Sequence, residues 1–139
     1  MISVTVTKAY SETPFSLAAV RRAAEFACRR ERVKNAELSF VVVNSRTIRT
    51  MNKKFLGHDF ITDVITFPLE QRGVHAEIYI NGQQAKRQAR ENGVTVQNEM
   101  TRLVIHGTLH AIGYDDTKKA SKTRMDSIQE RYVAELSLR

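Results

Sequence analysis

Ile2, Val4 and Val6 alternate with polar residues at the start of the chain, the period of a half-buried β-strand. From Phe15 to about Arg32 the period lengthens. Leu17, Val20, Ala24 and Ala27 recur at helical spacing, and Arg21, Arg22, Arg29 and Arg30 fall on the outer face. The run ELSFVVVN, rich in β-branched and aromatic residues, predicts a second strand. Ser45 then reads as the N-cap of a helix through Ile48, Met51 and Phe55. TDVITFP predicts a short strand stopped by Pro68, and HAEIYI another that ends at Asn81-Gly82. Gln83 to about Glu91 suits a basic helix carrying Lys86, Arg87 and Arg90, closed by Asn92-Gly93. A long helix follows from about Asn98 to Ile112. A last one, from about Lys119 to Leu136, puts Met125, Ile128, Tyr132 and Leu136 on one stripe, read as core packing rather than a partner surface. The order βαβαββααα predicts an α+β fold, a small mixed β-sheet covered by helices.

Composition narrows the class. The 139 residues hold no internal repeat, low-complexity tract or Pro/Gly/Ser linker, so residues 1–139 read as a single domain. An apolar content of 42% is far above that of a disordered chain. No window approaches the roughly 18 apolar residues of a membrane span. The N-terminus alternates like a strand and lacks a signal peptide's basic and apolar regions, so a cytoplasmic protein is expected. Cys28 is the single cysteine, which excludes an internal disulfide and a thiolate zinc cluster. Set among alanines, it reads as a small core residue. The net charge of +7, from 22 Lys+Arg against 15 Asp+Glu, suits a polyanionic partner such as RNA or DNA, or serves solubility alone.

Chemistry concentrates in RLVIHGTLHAIGYDD, residues 102–116. His106 and His110, four apart on a helix, stack on one face about 6 Å apart and can share a metal ion. Gly113 offers the reversal that ends the helix, and the chain after it can return towards the helix end. Asp116 is then a third ligand that leaves a fourth tetrahedral position to water, as in catalytic zinc sites. Asp115 competes for that place, or caps the turn, or accepts a hydrogen bond from a ligand histidine. Two histidines on an ordinary amphipathic helix are the alternative. HExxH metalloproteases carry a glutamate beside the first histidine, and Gly107 stands there instead, which disfavours that kind of peptidase.

HGTLHAIGYDD resembles the HGxLHLxGYDH signature of the YbeY family, bacterial zinc endoribonucleases of ribosomal RNA maturation. Upstream, MNKKFLGHDFITDVITFP is similar to the family's segment ending in TDVLSFP. AEIYI is similar to its GDIxI strand, and RMDSIQERYV to its Met-containing terminal helix. The resemblance covers about residues 50 to 135. It implies a zincin-like metal helix with a Gly turn, one Zn²⁺ per chain, and His106 and His110 as ligands. The family's third histidine falls on Asp116, a tolerable exchange in a catalytic zinc triad. With one positive charge fewer than over three histidines, the bound water should be a weaker acid. The family's arginine before the TDV segment is Leu56 here, which leaves Lys53, Lys54 and His58 as nearby substitutes. Ala76-Glu77 replaces Gly-Asp.

The implied function is single-strand-specific, zinc-dependent cleavage of RNA, with maturation of the 3′ end of small-subunit ribosomal RNA and ribosome quality control as its setting. RNA, ribosomal RNA or ribosomal subunits are the expected partners. Lys53, Lys54, Lys86 and Arg87 are candidates for holding the RNA backbone, as are Arg21 and Arg22. Asp63 is the candidate general base, with hydrogen bonding in the turn before its strand as the alternative. Few aromatics are available to stack bases, so selection of one base sequence is not expected. Two rivals differ in kind: a zinc hydrolase of peptides or another small substrate, and a non-catalytic ribosome-assembly factor.

Overall fold

A computed structural model describes residues 1–69 and 73–138. The elements run β1 (Ile2–Lys8), α1 (Leu17–Arg30), β2 (Ala36–Val43), α2 (Ser45–Leu56), β3 (Val64–Pro68), β4 (Val74–Asn81), α3 (Gly82–Asn92), α4 (Val96–Ile112) and α5 (Lys119–Ser137). The predicted order is the observed one.

The four strands form one mixed sheet in the order β1-β2-β4-β3. β1 pairs β2 and β2 pairs β4 in parallel, while β3 runs antiparallel on β4. Successive strand side chains point to opposite faces, and the two faces have separate cores. Leu38, Phe40, Val42, Ala76, Ile78 and Ile80 belong to the main core with α1, α4 and α5. Val43 and Ile65 meet Ile48 of α2 in a smaller cluster joined by Val41, Phe67 and Tyr79. Helix α4 is central, since it packs on α1, α3 and α5 as well as on β3 and β4.

Three local expectations change. Asn44, not Ser45, caps α2: its carboxamide oxygen accepts from the Thr47 amide at 2.8 Å. Ser45 is already helical, and its own amide donates to Gln83 Oε1. Phe55, expected on the inward stripe of that helix, is 58% exposed. Helix α4 starts slightly earlier than its sequence suggested, because the Thr95 hydroxyl accepts from the Asn98 amide and sets the cap there. Cys28 is fully buried, as expected of a core residue, and burial pushes its thiol up to about 11.

Candidate metal centre

The two histidines owe their position to a glycine. On α4, a Cβ at Gly107 would lie 2.6 Å from Ile78 Cγ2, so no side chain fits where the helix crosses β4. The Gly107 carbonyl also faces Thr66 Oγ1 at 3.5 Å. This close approach places His106 and His110 at the edge of a cleft whose other wall is residues 56–68.

The turn after α4 brings back the third group. Gly113 has φ 127° and ψ 4°, a positive φ that favours glycine, although it is not the left-handed helical value expected. The Gly113 and Tyr114 amides both donate to the Leu109 carbonyl and close the helix end. Asp115 caps the turn: its carboxylate accepts from the Thr117 amide and hydroxyl, and those bonds hold it below the usual carboxylate range. Asp116 is left to face the histidines. Its Oδ2 lies 3.1 Å from His110 Nε2 and 3.7 Å from His106 Nε2.

The turn is moored to the rest of the molecule. The Tyr114 hydroxyl donates to Glu31 Oε1 at 2.6 Å, and the Tyr132 hydroxyl donates to the other oxygen of that carboxylate. Burial and the Glu31 bond push the Tyr132 phenol up to about 12, so it remains a protonated donor at neutral pH.

Hydrogen-bond partners fix the histidine tautomers. His110 Nδ1 lies 3.0 Å from the Tyr114 carbonyl oxygen, which can only accept, so Nδ1 carries the proton. Gln129 Nε2 donates to Glu130 Oε2 at 3.1 Å, which turns Gln129 Oε1 towards His106 Nδ1 at 2.8 Å. His106 therefore also donates from Nδ1. Both rings then turn Nε2 towards the Asp116 carboxylate, and the three candidate ligand atoms lie within 4.8 Å of one another. A divalent ion bound at both Nε2 atoms and at the carboxylate would occupy that point of convergence. A tetrahedral ion with bonds of about 2.0–2.2 Å separates its ligand atoms by roughly 3.3 Å. By donor type and by the 3.1 and 3.7 Å separations from Asp116, the group could hold a divalent metal.

Support for His106 extends outward. Burial pushes Glu130 up, but hydrogen bonds from Arg102 and Gln129 outweigh it and hold the carboxyl below its usual range. Arg102 in turn binds both Glu130 and the buried Glu99. Gln129 and Glu31 were not singled out in the sequence. Their roles come from tertiary proximity, and no local motif marks them.

The cleft has a volume of about 410 Å³ and includes Asn52, Leu56, His58, Phe60 and Asp63 with the three ligand candidates. The Asp63 backbone carbonyl accepts from the Asn81 amide, while its carboxylate makes no hydrogen bond among the described residues. Of the substitutes for the missing arginine, His58 borders the cleft. Lys53 and Lys54 line a neighbouring depression with Arg49 and Asp59. Lys86 and Arg87 stand on α3 and Arg21 and Arg22 on α1; none of the four borders the cleft.

A family model described as Endoribonuclease YbeY matches residues 4–137. The chain belongs to the YbeY endoribonuclease family. Relatives named Endoribonuclease YbeY include one from Chloroherpeton thalassium, 36% identical over 118 residues and covering 84% of each chain. Another, from Bacillus licheniformis, is 34% identical over 134 residues, covering 84% of this chain and 85% of its own. The solution structure of a Thermotoga maritima protein matches with a TM-score of 0.68 and 27% identity, over 96% of this chain and 88% of that one. Endoribonucleases are hydrolases, which bears out the enzyme class expected from the sequence, and the mixed four-stranded sheet with its helices bears out the α+β fold. No helix among the described residues is long and apolar enough to cross a membrane.

Proposed function

We propose that this YbeY protein is a zinc-dependent endoribonuclease of single-stranded RNA that acts in the cytoplasm on ribosomal RNA, including the 3′ end of the small-subunit species. Residues 1–139 act as one catalytic domain with one Zn²⁺ held by His106, His110 and Asp116. The observation that carries this reading is the convergence of two Nε2 atoms and a carboxylate in an open cleft, in a chain whose relatives are named endoribonucleases.

When bound, the ion supplies an acidified water and a Lewis acid for a phosphoryl oxygen. The chain's own residues do the rest. His106 and His110 act as neutral ligands because Gln129 and Tyr114 occupy their Nδ1 protons. Asp116 offsets one unit of the ion's charge. Asp63, whose carboxylate makes no hydrogen bond among the described residues, is the base that takes the proton of the attacking water as its oxygen bonds to phosphorus, and returns that proton to the departing oxygen as the old P–O bond breaks. His58 stands beside Leu56, where other members carry an arginine, and is the group within the cleft best placed to contact phosphate. Lys53 and Lys54 position the backbone from the neighbouring depression, without reading base sequence.

Zinc-loaded protein should cleave single-stranded RNA and leave unstructured peptides intact. Chelation should abolish cleavage, and His110→Ala should lower it more than about a hundredfold, since even losing a hydrogen-bond partner of a ligand costs 10–100-fold. Selective peptide cleavage would replace this reading with the small-substrate hydrolase. Full RNA processing by a folded His110→Ala variant would point to the assembly-factor role.

A further inference from the structure

The segment facing the metal ligands carries an exposed apolar surface that zinc binding does not require. Phe55, Leu56, Phe60 and Ile61 are 58%, 47%, 54% and 45% exposed. Leaving large apolar groups together in water is unfavourable, and such patches mark contact surfaces. Within this one, the His58 and Phe60 rings stack nearly parallel, with centroids 5.3 Å apart and planes 13° apart. Both border the cleft of His106, His110 and Asp116.

The stretch that holds these rings is fixed at both ends. Buried Asn52 donates from Nδ2 to the Phe60 carbonyl at 3.1 Å, and its own carbonyl accepts from the His58 amide. At the far end, Asn81 donates from its side chain to the Thr62 carbonyl and from its amide to the Asp63 carbonyl. The rings are therefore presented in place before anything binds, which lowers the ordering cost of a contact.

Charge defines the occupant. Arg46, Arg49, Lys53 and Lys54 lie exposed on α2, and among the described residues the ion pairs they make are those of Arg49 and Lys53 with Asp59. Asp59 lies between the two stacked residues in sequence yet lines the basic depression on the other side. The segment thus has an aromatic face towards the metal ligands and a basic face towards α2. A ligand that offers flat apolar rings strung on a polyanion matches both, and a single-stranded nucleic acid is that ligand. An apolar protein surface would leave the cations without partners. The cleft volume also lies within the range of about 300–1,000 Å³ typical of small-ligand sites.

We propose that the His58–Phe60 ring pair is a base-stacking subsite, on which one nucleobase of single-stranded RNA lies against Phe60 while its neighbouring phosphate reaches the His106–His110–Asp116 centre. The inference rests on the endoribonuclease reading and adds a residue-level account of how single strands are preferred: a base held in a duplex cannot leave its own stack without loss. Stacking is tolerant of base identity, so this subsite selects unpaired nucleotides and not a sequence.

The test uses zinc-loaded full-length protein and a short single-stranded RNA carrying 2-aminopurine, whose fluorescence falls on stacking. Phe60→Ala should weaken binding about fivefold to a hundredfold and abolish the fluorescence drop. Phe60→Trp should retain both. Replacing the stacked nucleotide with an abasic one should weaken wild-type binding by a similar factor and leave the Phe60→Ala variant almost unchanged. If wild-type protein cleaves and binds the RNA but Phe60→Ala matches it in affinity and fluorescence, the subsite is overturned while the endoribonuclease reading stands. The apolar rim is then left to a protein partner. If wild-type protein neither binds nor cleaves RNA, both readings fall together.

Discussion

At the scale of single residues, the site depends on which nitrogen of each histidine carries a proton. Gln129 decides this for His106. Its amide cannot flip without setting its own NH₂ group against the imidazole N–H and losing the donation to Glu130. Gln129→Leu removes the acceptor at similar size, and it should weaken zinc binding about 10–100-fold, read by competition with a chromophoric chelator. The unfolding midpoint of metal-free protein serves as the control for folding. Gln129→Glu, which retains an acceptor towards Nδ1, should recover part of the affinity; unchanged affinity in the leucine variant would remove Gln129 from the site. His106, His110 and Asp116 were legible in the sequence because helical spacing and a glycine turn are local facts. Gln129 was not, because it approaches His106 from a position 23 residues later, on a stripe that reads as ordinary core.

Among elements, α4 carries the most information per residue. Gly107 reads in the sequence as a chemical absence, the missing glutamate of a peptidase motif. In the fold it is a packing requirement, since β4 occupies the space any side chain would need. Gly107→Ala should therefore be destabilising despite alanine's advantage of about 1 kcal/mol in a helix interior. Crowding a packed core costs about 1–3 kcal/mol, so urea unfolding should show a net loss of up to about 2 kcal/mol; a stabilised variant would contradict the close approach. Periodicity found every helix and strand, but its ends depended on side-chain competition that a pattern does not contain. Asn44 caps α2 with its carboxamide, while the Ser45 hydroxyl, already one residue into the helix, is engaged by Asn81 at the end of β4. Phe55 followed the apolar spacing of α2 and is still largely exposed, with its ring meeting Phe67 edge to face.

The whole molecule supplies what neither residue nor element can: the return of Asp116. Helix α4 positions two candidate ligands, but the third hangs on a turn tied through Tyr114 to Glu31 at the end of α1, 83 residues away, while Tyr132 of α5 binds the same carboxylate. Three helices thus determine where one carboxylate points. The element order allowed an α+β fold to be expected, whereas the strand order β1-β2-β4-β3 and the antiparallel edge strand that walls the cleft follow from long-range pairing. The family resemblance carried the chemistry further than periodicity could, and two of its three departures, Asp116 and Leu56, fall on the cleft itself. The most direct test of the metal centre is anomalous diffraction at the zinc edge from crystals of zinc-loaded protein. One peak is expected, about 2.0–2.2 Å from His106 Nε2, His110 Nε2 and an Asp116 carboxylate oxygen. The absence of a peak there, or a peak bonded to Nδ1 atoms or to Asp115, would contradict the account.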